Sequence, residues 1–363
     1  MDERVRIGII GLGRAGAIHL DAIRLLSGAH VAAICDASDQ VRQNASNDGY
    51  AVYADLDEML ANADLEAAII CTPPSDHAAT AVRCLQRGLH VLCEKPLALS
   101  TGDVLTMLQT ANQHRRKLLV ASKFRHVPEI TRARAIIDSG EIGDPVTFEI
   151  SFCSSVDMTG RWNSQRNKAG GGVIIDNGCH GFDIISFLFG SIRRVHATRL
   201  RSLQSIGVED SATILVWAGD DVIGKVDLSW SIATPRDSYL VVHGSRGSVQ
   251  VGWKTSGVQL ASQPWQAMGA PYDKIAAHRA MLERFALAVR NGHESWISTA
   301  ECLQTVAAVD AAYRSLESGS TEWVSIQGMR ELSLVSRSTR GDDPETQRAP
   351  EMTTERPRPP FLV

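Results

Sequence analysis

Apolar positions in the first third of the chain come as short continuous runs, each followed by a stretch with helical spacing. Val5–Ile10 (VRIGII) is the first such run, and after a set of glycines AIHLDAIRLL repeats its apolar residues at 3.6-residue spacing. The same alternation predicts strands over 31–35, 67–71, 90–93 and 118–121, and a short extended piece at 53–55. Between them it predicts helices over about 38–48, 56–61, 76–87 and 100–114, with Asp55 and Ser100 as N-caps and Gly88 as a C-terminal stop. Strands that are apolar throughout are covered on both faces, so residues 1–124 are expected to form a doubly wound parallel α/β sheet.

The rhythm changes after about residue 124. A helix is predicted over 128–138, and strands over 145–154, 193–201, 207–218, 222–231, 238–244 and 247–253. Several of these alternate apolar and polar positions (VTFEISF, YLVVH), the mark of a largely antiparallel sheet with one covered face. Helices over about 172–189, 273–291 and 298–316 complete an α+β domain spanning 125–330. From 331 to 363 the composition turns to Ser, Thr, Arg, Asp and Pro, and this tail is expected to be disordered.

Composition narrows the function classes. The 363 residues carry a net charge of −4, which offers no basic surface for nucleic acid. No apolar run reaches the roughly 18 residues that span a bilayer, and with the apolar Val5–Ile10 run so early no cleaved leader is expected. The seven cysteines are scattered and form no C-x-x-C, so neither disulfides nor a structural zinc site is expected, and a reducing cytoplasm fits.

The chemistry-bearing motifs sit at predicted strand ends. Gly11-Leu12-Gly13-Arg14-Ala15-Gly16 is a G-x-G-x-x-G turn between a strand and a helix. Its glycines allow a tight turn, close approach of a pyrophosphate and close helix packing, and the helix N-terminus faces the phosphates. Asp36 ends the next strand, where a carboxylate accepts from both ribose hydroxyls of NAD and repels a 2′-phosphate, with no neighbouring Arg to hold one. The alternative is that Asp36 caps the following helix. Thr72-Pro73-Pro74 leaves the third buried strand, and His77 in the next helical turn either faces the cofactor or is structural. Glu94-Lys95-Pro96 ends the fourth strand, where Lys95 can hydrogen-bond a substrate oxygen. Burial or a cofactor cation is expected to lower its pKa toward neutrality.

The stretch Gly170-Gly171-Gly172-Val173-Ile174-Ile175-Asp176-Asn177-Gly178-Cys179-His180-Gly181-Phe182-Asp183 opens a predicted helix. Asp176 and His180 are four apart and share a face, with Asp183 near it one turn on. A His beside a carboxylate is a natural proton acceptor, although such a pair is also an ordinary helix-surface contact. No further ligands at metal spacing stand out, and no metal is expected.

Together these residues resemble the glucose–fructose oxidoreductase / inositol dehydrogenase / rhizopine catabolism (Gfo/Idh/MocA) family, in order over about residues 4–327, including the stretch from Tyr239 to Ser248. The resemblance implies a Rossmann domain followed by an α+β domain whose large open-faced sheet serves homo-oligomerisation, as a dimer or tetramer. It implies hydride transfer between NAD and a secondary alcohol of a sugar, sugar nucleotide, sugar phosphate or cyclitol. It matches Lys95, Asp176 and His180 to the family's active-site residues, and Arg125 with Pro128 to an R-x-x-P element, while Lys123 stands where many members carry Asn. Trp162, after Arg161, either lies over the nicotinamide or substrate or serves packing. The cofactor contacts expected are thus Gly11, Leu12, Gly13, Arg14, Ala15, Gly16, Asp36, Cys71, Thr72, Pro73, His77, Glu94, Lys95, Pro96, Arg125 and Trp162. Substrate contacts are expected from Lys95, Arg161, Asn163, Asp176, Asn177 and His180, with Asp157, Arg166, Lys168 and His278 as further polar candidates. Arg161, Arg166 and Lys168 either hold a phosphate or form a solvated loop.

On this reading His180 takes the hydroxyl proton, Lys95 holds the reacting oxygen, and Asp176 orients His180 or holds a neighbouring hydroxyl. Oxidation at C3 of a glucose-like ring in an aminosugar or secondary-metabolite pathway is one expectation. Reduction of a keto-sugar or imine and a silent cofactor-binding regulator are the alternatives.

Overall fold

Six parallel strands form the first sheet of the computed structural model, which describes residues 3–292 and 297–325. They are β1 (Val5–Ile10), β2 (Ala29–Cys35), β3 (Ala51–Tyr53), β4 (Ala67–Ile70), β5 (His90–Cys93) and β6 (Leu118–Val120), in the order β3-β2-β1-β4-β5-β6. Helices α1 (Arg14–Ile23), α2 (Asp39–Asn47), α3 (Leu56–Asn62), α4 (Pro74–Gln86) and α5 (Thr101–Gln113) alternate with them. The short extended piece lies at 51–53 rather than 53–55, because Tyr53 pairs with Cys35 while Asp55 turns out to cap α3, accepting from Asp57 and Glu58.

The strand order reverses between β1 and β4, so the loops after these neighbouring strands part to opposite sides and leave a crevice at their carboxyl ends. Backbone hydrogen bonds continue past the strand ends there: Gly11 donates to Cys35, Cys71 to Ile10, and Glu94 to Ile70. These bonds place the glycine loop, the Thr72 loop and the Glu94-Lys95 pair along one edge.

The helix α6 (Pro128–Asp138) leads to a nine-stranded second sheet. Its strands are β7 (Pro145–Cys153), β8 (Ile192–Arg199), β9 (Ser211–Ala218), β10 (Val222–Ser229), β11 (Ser238–Gly244), β12 (Gly247–Gly252), β13 (Gly257–Leu260), β14 (Gln266–Ala267) and β15 (Glu322–Trp323). The order is β14-β13-β12-β11-β7-β10-β9-β8-β15, antiparallel except where β7 lies parallel to β10. Alternation along β7 and β9 buries Phe148, Ile150, Ile214 and Val216 on one face and turns Thr147, Leu215 and Trp217 outward. The last three strands are too short for periodicity to reveal.

Two helical regions depart from expectation. The single helix over 172–189 is two pieces, a π-helical turn (Ile174–Gly178) and α8 (Cys179–Phe189), and a separate short helix, α7 (Arg166–Ala169), precedes them. The helix α9 (Lys274–Asn291) follows the second sheet in sequence yet sends Met281, Leu282 and Phe285 into the core beneath the first, against Leu20 and Ile23 of α1. The last described helix, α10 (Thr299–Ser318), starts at a capping box made by Ser298 and Glu301. The described residues belong to one compact unit, and the 331–363 tail lies outside them.

Candidate active site

The glycine loop is shaped by close approach. A Cβ on Gly16 would sit 2.1 Å from the carbonyl oxygen of Gly11, so only glycine lets α1 start this near β1. Helix α1 has no side-chain cap and no acid in its first turn, and the space beside Gly13 is open. Its first N–H groups are therefore free to receive an anion, and the loop fits a dinucleotide's pyrophosphate. Asp36 accepts from the Leu12 N–H at 2.7 Å and from the Ser38 N–H at 2.8 Å, which holds its carboxylate beside the loop. The cap of α2 is Ser38, not Asp36.

One cleft joins this loop to the second sheet's helices. Of the expected residues it is lined by Gly13, Arg14, Ala15, Cys71, Thr72, Glu94, Lys95, Pro96, Trp162, Asn163, Asp176, Asn177 and His180. Trp162 is 38% exposed at its rim. Ile18, Lys123, Ile175 and Lys274 line it too, and of the further polar candidates His278 does. Gly11, Leu12, Gly16 and Asp36 shape the loop from behind, and Pro73 precedes α4.

Three expected contacts lie elsewhere. His77 is buried with Nδ1 2.8 Å from the Pro96 carbonyl and Nε2 2.9 Å from that of Thr72. It ties the two loops together rather than facing a cofactor. A neutral ring donates to one of these carbonyls at a time, and burial pushes its pKa down. Arg125 is buried in an ion pair with Asp183 at 2.9 Å and with Glu301, which takes it out of the cofactor contacts and takes Asp183 away from His180. Arg161 is exposed outside the cleft, as are Arg166 and Lys168, so their charges form a solvated loop. Asp157 is off the cleft as well.

The reacting end of the cleft is built on the π-helical turn. Glu209, itself buried, accepts through Oε1 from the N–H groups of Gly172 and Ile174 and from the Tyr313 hydroxyl, at 3.0, 3.1 and 2.8 Å. A Cβ on Gly172 would lie 2.0 Å from the Glu209 carbonyl oxygen. This anchor holds the turn so that Asp176 faces Lys95. Lys95 Nζ donates to Asp176 Oδ1 at 2.7 Å and to its backbone oxygen at 2.8 Å. Burial opposes the ammonium, but the negative groups around it, Asp176 foremost, together outweigh burial and raise the Lys95 pKa, the reverse of the expected lowering.

His180 makes no hydrogen bond among the described residues, and its ring stands edge-on to Phe124 with centroids 5.1 Å apart. Burial, then Lys95 and Lys123, push its pKa well below the usual imidazole range, so the ring is neutral. Asp176 is Lys95's partner, and the π-helical turn removes the α-helical i, i+4 relation expected to orient His180.

Beside this pair, His19 Nε2 lies 2.8 Å from Glu94 Oε1, and the His19 and His278 rings meet edge-on at 5.2 Å. Burial opposes the charge of Glu94, but His19 and Lys95 hold its carboxyl down to about 2. His19, Glu94 and His278 bring possible metal-ligand atoms within 4.8 Å of one another. Lys95, Lys123 and Lys274 line the same cleft and oppose a divalent cation there. Lys123 is marked only by standing where many family members carry Asn, and His19 and Lys274 carry no motif signal. They could have been suspected only as polar residues on faces otherwise apolar.

Residues 5–122 match the family described as oxidoreductase family, NAD-binding Rossmann fold, and residues 130–250 match the GFO/IDH/MocA C-terminal domain. A D-apiose dehydrogenase of Paraburkholderia graminis is 30% identical over 344 residues, covering 88% of this chain and 89% of that one. An inositol 2-dehydrogenase of Rhizobium meliloti is 26% identical over 333 residues, covering 86% and 97%. The crystal structure of GenD2 from gentamicin A biosynthesis, in complex with NAD, superposes with a TM-score of 0.78 at 26% identity, covering 88% of this chain and 96% of that one. The first sheet is thus the core of an NAD-binding Rossmann domain.

Proposed function

This chain belongs to the Gfo/Idh/MocA oxidoreductase family, and we propose that it oxidises a secondary alcohol of a sugar or cyclitol to the ketone with NAD. The observation that carries this is the pairing of Lys95 with Asp176 in the same cleft as a neutral His180. Bound NAD supplies the hydride acceptor.

The glycine loop, the N-terminus of α1 and Arg14 hold the pyrophosphate, and Asp36 takes the ribose hydroxyls. An ammonium has three donors. Two of Lys95's are spent on Asp176, which leaves the third for the substrate oxygen. Because Asp176 keeps Lys95 charged, it stabilises negative charge on that oxygen and is not itself the proton acceptor. His180, uncharged and free of hydrogen bonds among the described residues, accepts the hydroxyl proton. Asn163, Asn177 and the Trp162 ring line the cleft where further hydroxyls of a polyol lie.

Residues 1–124 serve as the cofactor domain and the following residues to about 330 as the substrate domain, with Lys274 and His278 of α9 reaching the shared cleft. The outward face of the second sheet carries Leu215 and Ile223, each more than two-fifths exposed, and is where copies of the chain meet in a homo-oligomer. Seven free cysteines suit a reducing cytoplasm. Measuring NADH formation across D-apiose, free aldoses, inositols, sugar phosphates and UDP-sugars tests the proposal. Turnover of at least one supports it, and tight NAD binding with turnover of none overturns it.

A further inference from the structure

Four cations line the cleft, Arg14, Lys95, Lys123 and Lys274, against two acids, Glu94 and Asp176. Both acids are engaged, Asp176 by Lys95 and Glu94 by His19. Among the described residues Lys123 has neither an ion pair nor a hydrogen bond through its ammonium. That group rests instead 5.2 Å from the centroid of the Phe124 ring, the same ring that His180 meets edge-on at 5.1 Å. The unpaired cation therefore stands next to the group assigned to take the substrate's proton.

A desolvated ammonium without a counter-charge is costly, and such a group either loses its proton or waits for an anion. Burial, then Lys95 and Lys274, bring the Lys123 pKa down to about 8, so the charge is held under strain but is still present near neutrality. The pyrophosphate does not answer this need. Its place is the N-terminus of α1 with Arg14. Lys123 instead shares the Phe124 ring with His180, at the reacting end. One ammonium beside aromatic rings matches the single charge of a carboxylate, whereas a phosphate dianion calls for more donors.

Resting on the oxidation of a sugar alcohol proposed above, we propose that Lys123 forms an anion subsite for a carboxylate carried by the substrate, so that the preferred substrate class is a sugar acid rather than a neutral sugar.

Calorimetric binding of D-glucuronate, D-glucose and D-glucose 6-phosphate to the NADH-loaded enzyme tests this without requiring turnover. Glucuronate is expected to bind about tenfold or more tighter than glucose, the scale of one charged hydrogen bond. Lys123→Met is expected to bring the two within about twofold while Lys123→Arg keeps the preference, with NADH affinity unchanged in both. Equal binding of glucose and glucuronate, binding of neither, tighter binding of the phosphate, or a preference that survives Lys123→Met overturns the subsite. The two readings fail separately. Preferential glucuronate binding without NADH formation from any sugar overturns the oxidation and leaves the subsite. Turnover of neutral sugars without a gain for sugar acids does the reverse.

Discussion

Lys95 donates twice to Asp176, at 2.7 Å to its carboxylate and 2.8 Å to its backbone oxygen, across 81 positions of sequence. The contact joins the end of a Rossmann strand to a π-helical turn above the second sheet. It keeps Lys95 cationic and spends all but one of its donors, so the pair acts as a single oriented hydrogen-bond donor with a fixed charge.

Asp176→Asn keeps a hydrogen-bond acceptor and removes the counter-charge. Without it, burial dominates and the Lys95 pKa falls. The variant is expected to lose about 10²-fold in kcat, typical of one misplaced oxyanion donor, and the alkaline limb of its pH–rate profile is expected to move to lower pH. An alkaline limb that stays in place contradicts the assigned charge.

Asp36→Ala removes the carboxylate that the loop holds and that is proposed to take the ribose hydroxyls. The KM for NAD is expected to rise about tenfold or more, and discrimination against NADP to shrink, because a repelling carboxylate is gone. Initial rates with both cofactors check this, and an unchanged NAD/NADP ratio contradicts it.

Arg125→Met strips the partner from a buried Asp183. Burial already outweighs Arg125 in setting the Asp183 carboxyl above its usual range. Breaking a buried pair costs about 3–5 kcal/mol, so a large drop in Tm is expected. The affinity of the folded fraction for NAD is expected to hold, since Arg125 faces away from the cleft. Fluorescence titration with NADH reads it.

Five buried or half-buried histidines, His77, His90, His126, His180 and His278, have their pKa pushed down by burial, to about 4 for His278 and about 3 for His126. Unfolded, each takes up a proton near pH 6.5. The unfolded chain therefore binds protons first, and stability falls as pH drops from about 6.5 toward about 4. Thermal melts between these values are expected to show Tm falling steadily on acidification. A flat Tm contradicts the burial of these rings.

Much of the fold was legible because both periodicities were clean. Continuous apolar runs such as VRIGII and AAIIC announce strands covered on both faces, and the motifs at their ends all came to one edge. The π-helical turn was not legible, because it depends on Glu209 reaching from 35 residues downstream to bond the Ile174 N–H. Spacing alone made Asp176 and His180 neighbours on one helical face, when the chain gives Asp176 to Lys95. Arg125 and His77 look like ligand contacts by position, but their partners, Asp183 and the Pro96 carbonyl, are supplied by tertiary packing. Lys274 was hidden for the same reason. Its helix belongs to the second half in sequence and to the first core in space.

His180 is proposed to take the proton in an NAD-linked alcohol oxidation. The most direct test of this step is the kcat of His180→Ala on the best substrate found, with NAD affinity measured on the same preparation. A loss of about 10²–10⁴ in kcat is expected, the usual worth of a general base, with NAD binding unchanged. A kcat within a few-fold of wild type contradicts it.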